Sequence, residues 1–560
     1  MSERSRAHRR RYNGRRQAVH QYAARSAVDR ATVTFHPQGA VVSAAVGSTV
    51  AEVARVAGVR VEVPCGGTGV CGGCAVVAEG DVSEPTADER RALSAADLAR
   101  GVRLACRARV LGAVTVRPVS ARVAGATRAV TSAAVEGYPV AAPGERHEAT
   151  GARTLGAAVD VGTTTLAAAL VDLRNGDVLA TAAADNPQAA FGADVLARVA
   201  AAGTRGVEAL QASVAGAVEA LVTGLLAREG ASPAALLEVV TAGNPAMTHL
   251  LYGIDPSPLA AAPYAGALTA PMRRTAASLG MGALGEVRVS SLPAVSAFVG
   301  GDAVAGAVVT RLADAPRGTL LVDLGTNGEV LLATGDGLLA TSAAAGPAFE
   351  GGAIECGMRA EDGAIERVQW ADGRLAVGTV GGAPARGICG SGLLDLVAAL
   401  LDAGILDSEG RMRAAGPLGA RARERDGEVV FEVADGVVLT QGDVRAVQLA
   451  CGAVRAACTL LLEEARVPRG SVPRVRIAGG FGYHACERSL LRLGVLDESW
   501  AGRVHAAGNT SLAGAVAVLA SPAAREAAEV VAAAARTLDL APHPRFREVF
   551  VASLAFPDRP

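Results

Sequence analysis

Between Ala31 and Pro118 apolar and polar positions alternate in short runs. "ATVTFHP" and "AVVSAAV" read as paired strands joined at "QG", and "STVAEVARVAGV" reads as a helix with Ser48 as N-cap and Val50, Val53 and Ala57 on its inner face. A short strand "CAVVAEG" follows, then an acid-capped helix "TADERRALSAADLARG" and two closing strands, "VRLACRARV" and "AVTVRPV". This order predicts a small α+β domain over 31–118. Residues 119–154 lack periodicity, carry Gly, Pro and Thr, and read as a linker.

From Leu155 β-branched runs alternate with Ala/Leu-rich helical stretches, the rhythm of an α/β domain extending to about 557. Within it the pattern echoes itself. "GAAVDVGTTTLAAALVDLRNGDVLA" starts at Gly156 and "TLLVDLGTNGEVLLATGDGLLA" at Thr319. Each runs strand, Asp, Gly-Thr, polar turn, second strand and hairpin turn, so two related halves are expected.

Length and composition sharpen this outline. A chain of 560 residues is too long for one core, and three or four domains are expected. Half the residues are hydrophobic but only 3% are aromatic, so the cores must be built from Ala, Val and Leu. The chain contains no lysine; all 54 basic residues are arginine. That excludes a Walker-type phosphate lysine, a Schiff-base lysine and a kinase strand lysine, and any nucleotide must be held by another device. The net charge of −1 gives no electrostatic case for nucleic acid or an acidic membrane. Residues 1–30, with nine arginines against two acids, read as a disordered tail without the apolar stretch of an export signal. With no charge-free run of 18 apolar residues, the expected location is the cytoplasm.

The chemistry begins with "PCGGTGVCGGC". Cys65, Cys71, Cys74 and Cys106 give C-x5-C-x2-C-x31-C. Zinc ribbons use two close pairs, whereas this spacing approaches the plant-type iron–sulfur pattern with one extra residue in the first gap. A [2Fe–2S] cluster is the expected occupant, with zinc or unligated core cysteines as alternatives. Glycines let such a loop fold over inorganic sulfide with its amides pointing inward. The other five cysteines have no ligand spacing among themselves and read as core or loop thiols, Cys389 in "GICGSG" being the least ordinary.

The second chemical signal is the pair of Asp-Gly-Thr turns. Glycine lets a turn approach phosphate, while threonine hydroxyls and successive amides donate to its oxygens. An aspartate at the strand end can hold Mg²⁺ through its waters or orient an attacking water. Asp160 with Gly162, Thr163, Thr164 and Thr165 makes one such hairpin; Asp323 with Gly325, Thr326, Asn327 and Gly328 makes the other. Facing each other, they would clamp a phosphate pair without lysine. "VRIAGGFG" runs a strand into Gly479, Gly480 and Phe481, a place for close backbone approach to a nucleoside. Glu329 and Glu350 are carboxylates that could assist water or metal, read here as solvated or structural, and His249 reads as a packed or capping histidine.

Residues 31–118 resemble a β-grasp [2Fe–2S] ferredoxin, and the two hairpins with "IAGGFG" resemble the acetate and sugar kinase, Hsc70 and actin superfamily of ATP-binding proteins. The blocks "NPQAAFGADVLARV", "AGNPAMTHLLYGIDPSPLAAAPY", "SAAAGPAFEGGAIECGMRAEDGAIE" and "GICGSGLLDLVAALLDAGILD" carry a closer resemblance, to the reductive activators of corrinoid-dependent enzymes. The resemblance implies a β-grasp domain followed by a two-lobed α/β actin-like ATPase with ribonuclease H-like duplicated lobes. It implies the four cysteines as cluster ligands, Asp160 and Asp323 as catalytic and Mg²⁺-binding carboxylates, and ATP with its adenosine at Gly479–Phe481. An electron from an external low-potential donor would pass through the cluster to Co(II) of a corrinoid protein or methyltransferase, restoring Co(I). Plant-type clusters sit near about −400 mV, so ATP would offset an uphill transfer. A homodimer is left open. Rival readings are an ATPase-driven donor to another low-potential enzyme, and a ferredoxin-type carrier with a nucleotide-sensing domain. Two departures from the family stand out. Only about 40 residues separate the ferredoxin strand from Asp160, so a middle region of the family is expected to be missing, and "YHACERSLLRLG" is bulkier than the family norm at the adenosine edge.

Overall fold

The computed structural model describes residues 30–558 except 37–39, 58, 60, 62–73, 94–97, 119–153, 263, 265–267, 372, 415–416, 426 and 480–484. The expectations for the arginine-rich start and for the linker therefore lie almost wholly outside the described residues. The chain divides into two compact units, Met1–Val123 and Ala124–Pro560.

The first unit is a five-stranded sheet made from β1 (Arg30–Phe35), β2 (Ala40–Ala45), β3 (Ala75–Val82), β4 (Val102–Leu104) and β5 (Val110–Pro118), in the order β2-β1-β5-β3-β4. β1 and β5 run parallel and the other neighbours antiparallel. Ala31, Val33 and Phe35 alternate inward from β1 onto helix α1 (Val50–Val56), whose Val50, Val53 and Ala54 are buried. The N-cap of α1 is Thr49, not Ser48: its hydroxyl accepts from the Glu52 amide while Glu52 reaches back, a reciprocal capping box that Ser48 is one residue too early to make. Helix α2 (Ala87–Ala92) is capped in the same way by Thr86 and Glu89.

The second unit holds two six-stranded sheets. The first combines β6 (Leu155–Val161), β7 (Thr165–Asp172), β8 (Val178–Asp185), β9 (Leu236–Gly243), β10 (Arg273–Thr275) and β11 (Arg288–Ser291), in the order β10-β11-β9-β6-β7-β8. Helices α3 (Val195–Arg205), α4 (Val207–Arg228) and α5 (Pro245–Leu251) belong to this lobe. After the connecting helix α6 (Gly301–Val309) come β12 (Leu320–Leu324), β13 (Gly328–Ala333) and β14 (Leu338–Ala343). Two small three-stranded sheets follow, β15 (Ala364–Ala371) with β16 (Arg374–Thr379) and β17 (Gly387–Ile388), and β18 (Ala422–Arg425) with β19 (Glu428–Ala434) and β20 (Val437–Thr440). Helices α7 (Gly390–Asp402), α8 (Gln441–Glu464), α9 (Glu487–Arg492), α10 (Thr510–Ala520), α11 (Pro522–Ala534) and α12 (Phe546–Ala552) complete the unit, with β21 (Val475–Ala478), β22 (Val504–Gly508) and β23 (Arg536–Thr537). The second large sheet has the order β22-β21-β12-β13-β14-β23. In both sheets an antiparallel triplet is followed by a parallel strand on the free side of its first member, so the echo in the sequence is a duplicated lobe.

Strand parity assigns each residue to a layer. Ala157, Val159 and Val161 face the outer core of the first lobe, while Ala158 faces a central core shared by the two sheets. Likewise Leu320, Val322 and Leu324 face the outer core of the second lobe and Leu321 faces the centre. The buried members of the central core are all Ala, Val or Leu, contributed by both sheets and by α6, α10 and α11. Small residues let these layers close. A Cβ at Gly514 on α10 would lie 2.4 Å from the Ala305 carbonyl oxygen on α6, and one at Gly156 would lie 2.8 Å from Leu519 of α10. At the edge of the layer, buried Glu238 on β9 accepts from Arg525 of α11 at 3.0 Å and from Ser290 on β11, tying the end of the chain to the first sheet. Helices α4 and α8 are long and apolar enough to cross a membrane by length and composition, yet both carry faces buried in the outer cores.

Gly514→Ala is expected to destabilise the protein by about 1–3 kcal/mol, because the new methyl meets backbone that cannot swing aside. Gly224→Ala on the exposed side of α4 meets nothing within 4 Å and is expected to stabilise it by about 0.5–1 kcal/mol. Urea unfolding of the two variants checks both signs.

Candidate functional site

Of the four spaced cysteines, Cys74 and Cys106 are described; Cys65 and Cys71 lie outside the described residues. The sulfurs of Cys74 and Cys106 are 3.3 Å apart and buried, although the residues are 32 positions apart in sequence. That separation exceeds a disulfide and suits two thiolates on one metal atom. Cys106 was expected on a strand. It sits instead in the turn after β4, where the amides of Arg107 and Ala108 both bond back to the Leu104 carbonyl at 2.8 Å. The turn is anchored from beneath. Arg103 pairs with Glu89 through Nε at 2.9 Å and Nη2 at 3.0 Å, both side chains are buried, and Glu89 also accepts the Leu104 amide. Burial opposes the charge on Glu89, but Arg103 and these amides outweigh it and hold the carboxyl below its ordinary range.

In the second unit the two hairpins meet across a cavity of about 240 Å³. Asp160 and Asp323 occupy the next-to-last positions of β6 and β12, with the same parity as Ala158 and Leu321, so both point toward the layer between the lobes. The cavity wall includes Asp160, Gly162, Thr163, Thr164, Thr165, Asp323, Gly325, Thr326, Asn327 and Gly479. The hydroxyls of Thr164 and Thr326, one from each hairpin, lie 3.3 Å apart. Gly479 has φ +95°, and a Cβ there would fall 2.5 Å from the Leu324 carbonyl oxygen, so close approach to the second hairpin requires glycine. Gly328 does not line the cavity. It faces α8, where a Cβ would lie 2.9 Å from Val454, and its role is packing. Gly480, Phe481 and the bulky start of "YHACERSLLRLG" lie outside the described residues.

Sequence reasoning missed several members of the wall. Asn244 and Asn509 each follow a strand-ending glycine in the repeated tripeptide Ala-Gly-Asn. Each uses its Oδ1 to cap a helix, accepting from Met247 and Leu512, and its Nδ2 to hold the site. Asn244 donates to Thr163 Oγ1 at 3.0 Å and Asn509 to Asp160 Oδ2 at 2.9 Å, while Ser511 donates to Asp160 Oδ1 at 2.8 Å. The tripeptide was the available signal. Asp302, in the first turn of α6, and Ser391, beside Cys389 at the start of α7, also line the cavity. Glu329 and Glu350, read as solvated or structural, both line it too. Ser342 donates to the buried Glu329 at 3.0 Å. Glu350 accepts from Thr164 Oγ1, from Thr326 Oγ1 at 3.0 Å and from the Thr326 amide at 3.2 Å. His249 is packed as expected, its Nδ1 2.7 Å from the Pro245 carbonyl.

This is a strongly acidic enclosure. Burial pushes the Asp323 carboxyl up to about 8, helped by the charges of Asp302, Asp160 and Glu350, and Asp323 receives no hydrogen bond from the described residues. Burial likewise raises Asp302 to about 7, with Asp160 adding to it, and raises Glu329. Asp160 is raised by burial against the opposing bonds from Ser511 and Asn509. In each case burial favours the protonated form, and a cation bound among them would favour the charged one. Among the described residues no group of three or more His, Cys, Asp or Glu side chains is arranged to hold a metal by itself. Arg359 is the one basic side chain among the described residues in the wall, and it pairs with Asp185. Behind the first hairpin, fully buried Arg198 donates to the carbonyls of Gly192 and Thr163, and burial draws its pKa down to about 10.

Comparison with known proteins bears on this arrangement. Residues 33–111 match a family described as a 2Fe-2S iron-sulfur cluster binding domain. Residues 155–315 match the RACo middle region, and residues 317–560 match the C-terminal domain of RACo, the ASKHA domain. Together the two RACo matches span more than half the chain. The chain belongs to the RACo family. The region that the family model calls its middle region is present here as the first lobe, with the Asp160 hairpin inside it. The chain is 29% identical over 420 residues to the corrinoid activation enzyme RamQ of Eubacterium limosum, covering 72% of this chain and 70% of RamQ. It is 30% identical over 243 residues to a [Co(II) methylated amine-specific corrinoid protein] reductase of Methanosarcina barkeri, covering 40% of this chain and 42% of that protein. The solved structure of a reductive activator for corrinoid, iron-sulfur protein superposes with TM-score 0.68 at 28% identity, covering 94% of this chain and 98% of the other.

Because the unfolded chain releases the Asp323 proton near pH 4 and the folded protein retains it to about 8, stability is lost as pH rises through that window. Asp323→Asn removes the effect. Its melting temperature is expected to exceed that of the parent by an amount that grows from pH 4 to pH 8. A constant gap in calorimetric scans would refute the burial argument.

Proposed function

We propose that this chain is an ATP-dependent reductive activator, passing one electron at a time to Co(II) of a corrinoid protein to restore Co(I) in a methyltransferase system. The observation that carries this reading is the combination in one RACo-family chain of buried, adjacent Cys74 and Cys106 with two facing Asp-Gly-Thr hairpins. When bound by Cys65, Cys71, Cys74 and Cys106, a [2Fe–2S] cluster supplies a one-electron carrier, loaded by an external low-potential donor. Burial of the two described sulfurs and the Arg103–Glu89 anchor hold the ligand turn in place and keep water from it.

In the second unit, Gly162, Thr163 and Thr164 and their counterparts Gly325, Thr326 and Asn327 donate to the phosphates of ATP from opposite lobes. Asp160 is held by Asn509 and Ser511 at a fixed angle, suited to orienting water or a hydrated Mg²⁺, and Asp323 faces it from the other lobe. Adenosine lies along Gly479. Thr164 and Thr326 stand on different lobes, so nucleotide held between them favours one lobe spacing over others. ATP thereby acts on electron transfer through differential affinity for two conformations. The setting is the cytoplasm.

The test uses anaerobic, full-length protein with its cluster reconstituted, a low-potential reductant and a corrinoid protein poised as Co(II). The Co(I) absorption band is expected only with Mg-ATP. Asp160→Ala is expected to lower its rate of appearance by roughly a hundredfold, in line with loss of a positioned polar group at a transition state. Cys106→Ser is expected to lose bound iron and visible absorbance while still binding nucleotide. Co(I) formation that ignores ATP would replace this reading with a simple electron carrier.

A further inference from the structure

Three of the donors that the two hairpins offer to a phosphate are already engaged. Glu350 takes the hydroxyl of Thr164 from the first lobe, and the hydroxyl and amide of Thr326 from the second. Its carboxylate presents anionic oxygens to hydroxyl and amide donors as a phosphoryl group would. Glu350 ends a single turn, Pro347–Glu350, set between Gly346 at φ +79° and Gly351 at φ +73°. Phe349 beside it is fully buried in the outer core of the second lobe, so the turn is anchored while its last side chain reaches across the cleft.

From this geometry we infer that Glu350 is an internal phosphate mimic that latches the two hairpins together and must be displaced by a phosphoryl group of the nucleotide. Two anions do not share one set of hydroxyl and amide donors within a cavity of about 240 Å³. The latch sets a threshold: a ligand whose phosphate chain reaches Thr164 and Thr326 releases Glu350, and a shorter one leaves it in place. It therefore selects a nucleoside triphosphate over a diphosphate and converts that choice into breakage of a lobe-to-lobe link. The inference rests on the nucleotide reading proposed above.

The experiment is calorimetric titration of full-length protein with ADP and with a non-hydrolysable ATP analogue, both with Mg²⁺, for the parent, Glu350→Gln and Glu350→Ala. Removing the competitor is expected to tighten analogue binding by about tenfold or more in Glu350→Ala, with a smaller gain for ADP and a change of the same sign in Glu350→Gln. In the parent, amide hydrogen exchange across residues 346–352 is expected to speed up on adding the analogue and not on adding ADP. If the parent binds the analogue and Glu350→Ala binds it equally or more weakly, Glu350 serves the ligand and the latch is refuted. Exchange at 346–352 that slows or stays unchanged in the parent refutes it without any substitution. Failure of the parent and both variants to bind either nucleotide overturns the latch and the nucleotide reading together. A loss of affinity in the variants alone overturns only the latch.

Discussion

The second unit depends on the closeness of α6 to α10. These helices lie in the layer between the two large sheets, and Gly514 lets them approach until backbone almost touches backbone. Dispersion contacts at that spacing are individually weak but numerous, and they require the small residues that crowd this layer. The same two helices begin at the cleft. Asp302 stands in the first turn of α6, and Asn509 and Ser511 stand at the start of α10. Packing in the centre and geometry in the cleft are thus set by one helix pair. A bulkier layer would separate the lobes and pull the Thr164 and Thr326 hydroxyls out of reach of each other.

A chain without lysine has few ways to receive a polyphosphate. Here the two hairpins present hydroxyls and amides on tight turns, with Arg198 buried under the first hairpin and Arg359 in the cavity wall, paired with Asp185. The acidic residues are left facing the cavity, where burial and mutual repulsion raise their pKa values. That arrangement is costly for the protein alone. It is the expected electrostatic preparation for a ligand that brings its own cation, since the metal's charge would be met by carboxylates ready to ionise.

The cluster-binding unit solves a different problem with similar economy. Its sheet and helices are small, and the turn after β4 that carries Cys106 has no long element to stiffen it. The buried Arg103–Glu89 pair takes that role, joining β4 to α2 and satisfying the Leu104 amide next to the turn. Breaking one side of such a pair would leave an uncompensated buried charge, which makes it a rigid support for Cys106.

Much of this was legible in the amino-acid order, because periodicity and spacing are local properties. Alternation located the strands, the repeated Asp-Gly-Thr turns revealed the duplication, and the cysteine spacing named the metal chemistry. What the sequence left open depended on which residues face each other across distance. Parity along β6 and β12 says that Asp160 and Asp323 share a side with Ala158 and Leu321, but not that this side is the interface between lobes. Asp302 and Ser511 carry no sequence signal, and the Ala-Gly-Asn repeat marks Asn244 and Asn509 without saying what they meet, since all four reach the site from separate strand ends and helix starts. Cys106 looked like part of a strand because apolar and charged residues alternate around it, and the chain turns there through the backbone bonds to Leu104 that bring it to Cys74. Glu350, 186 residues after Thr164, became its partner through folding alone. Local order determined the elements and the chemistry; packing of two sheets on one helix pair decided which groups meet.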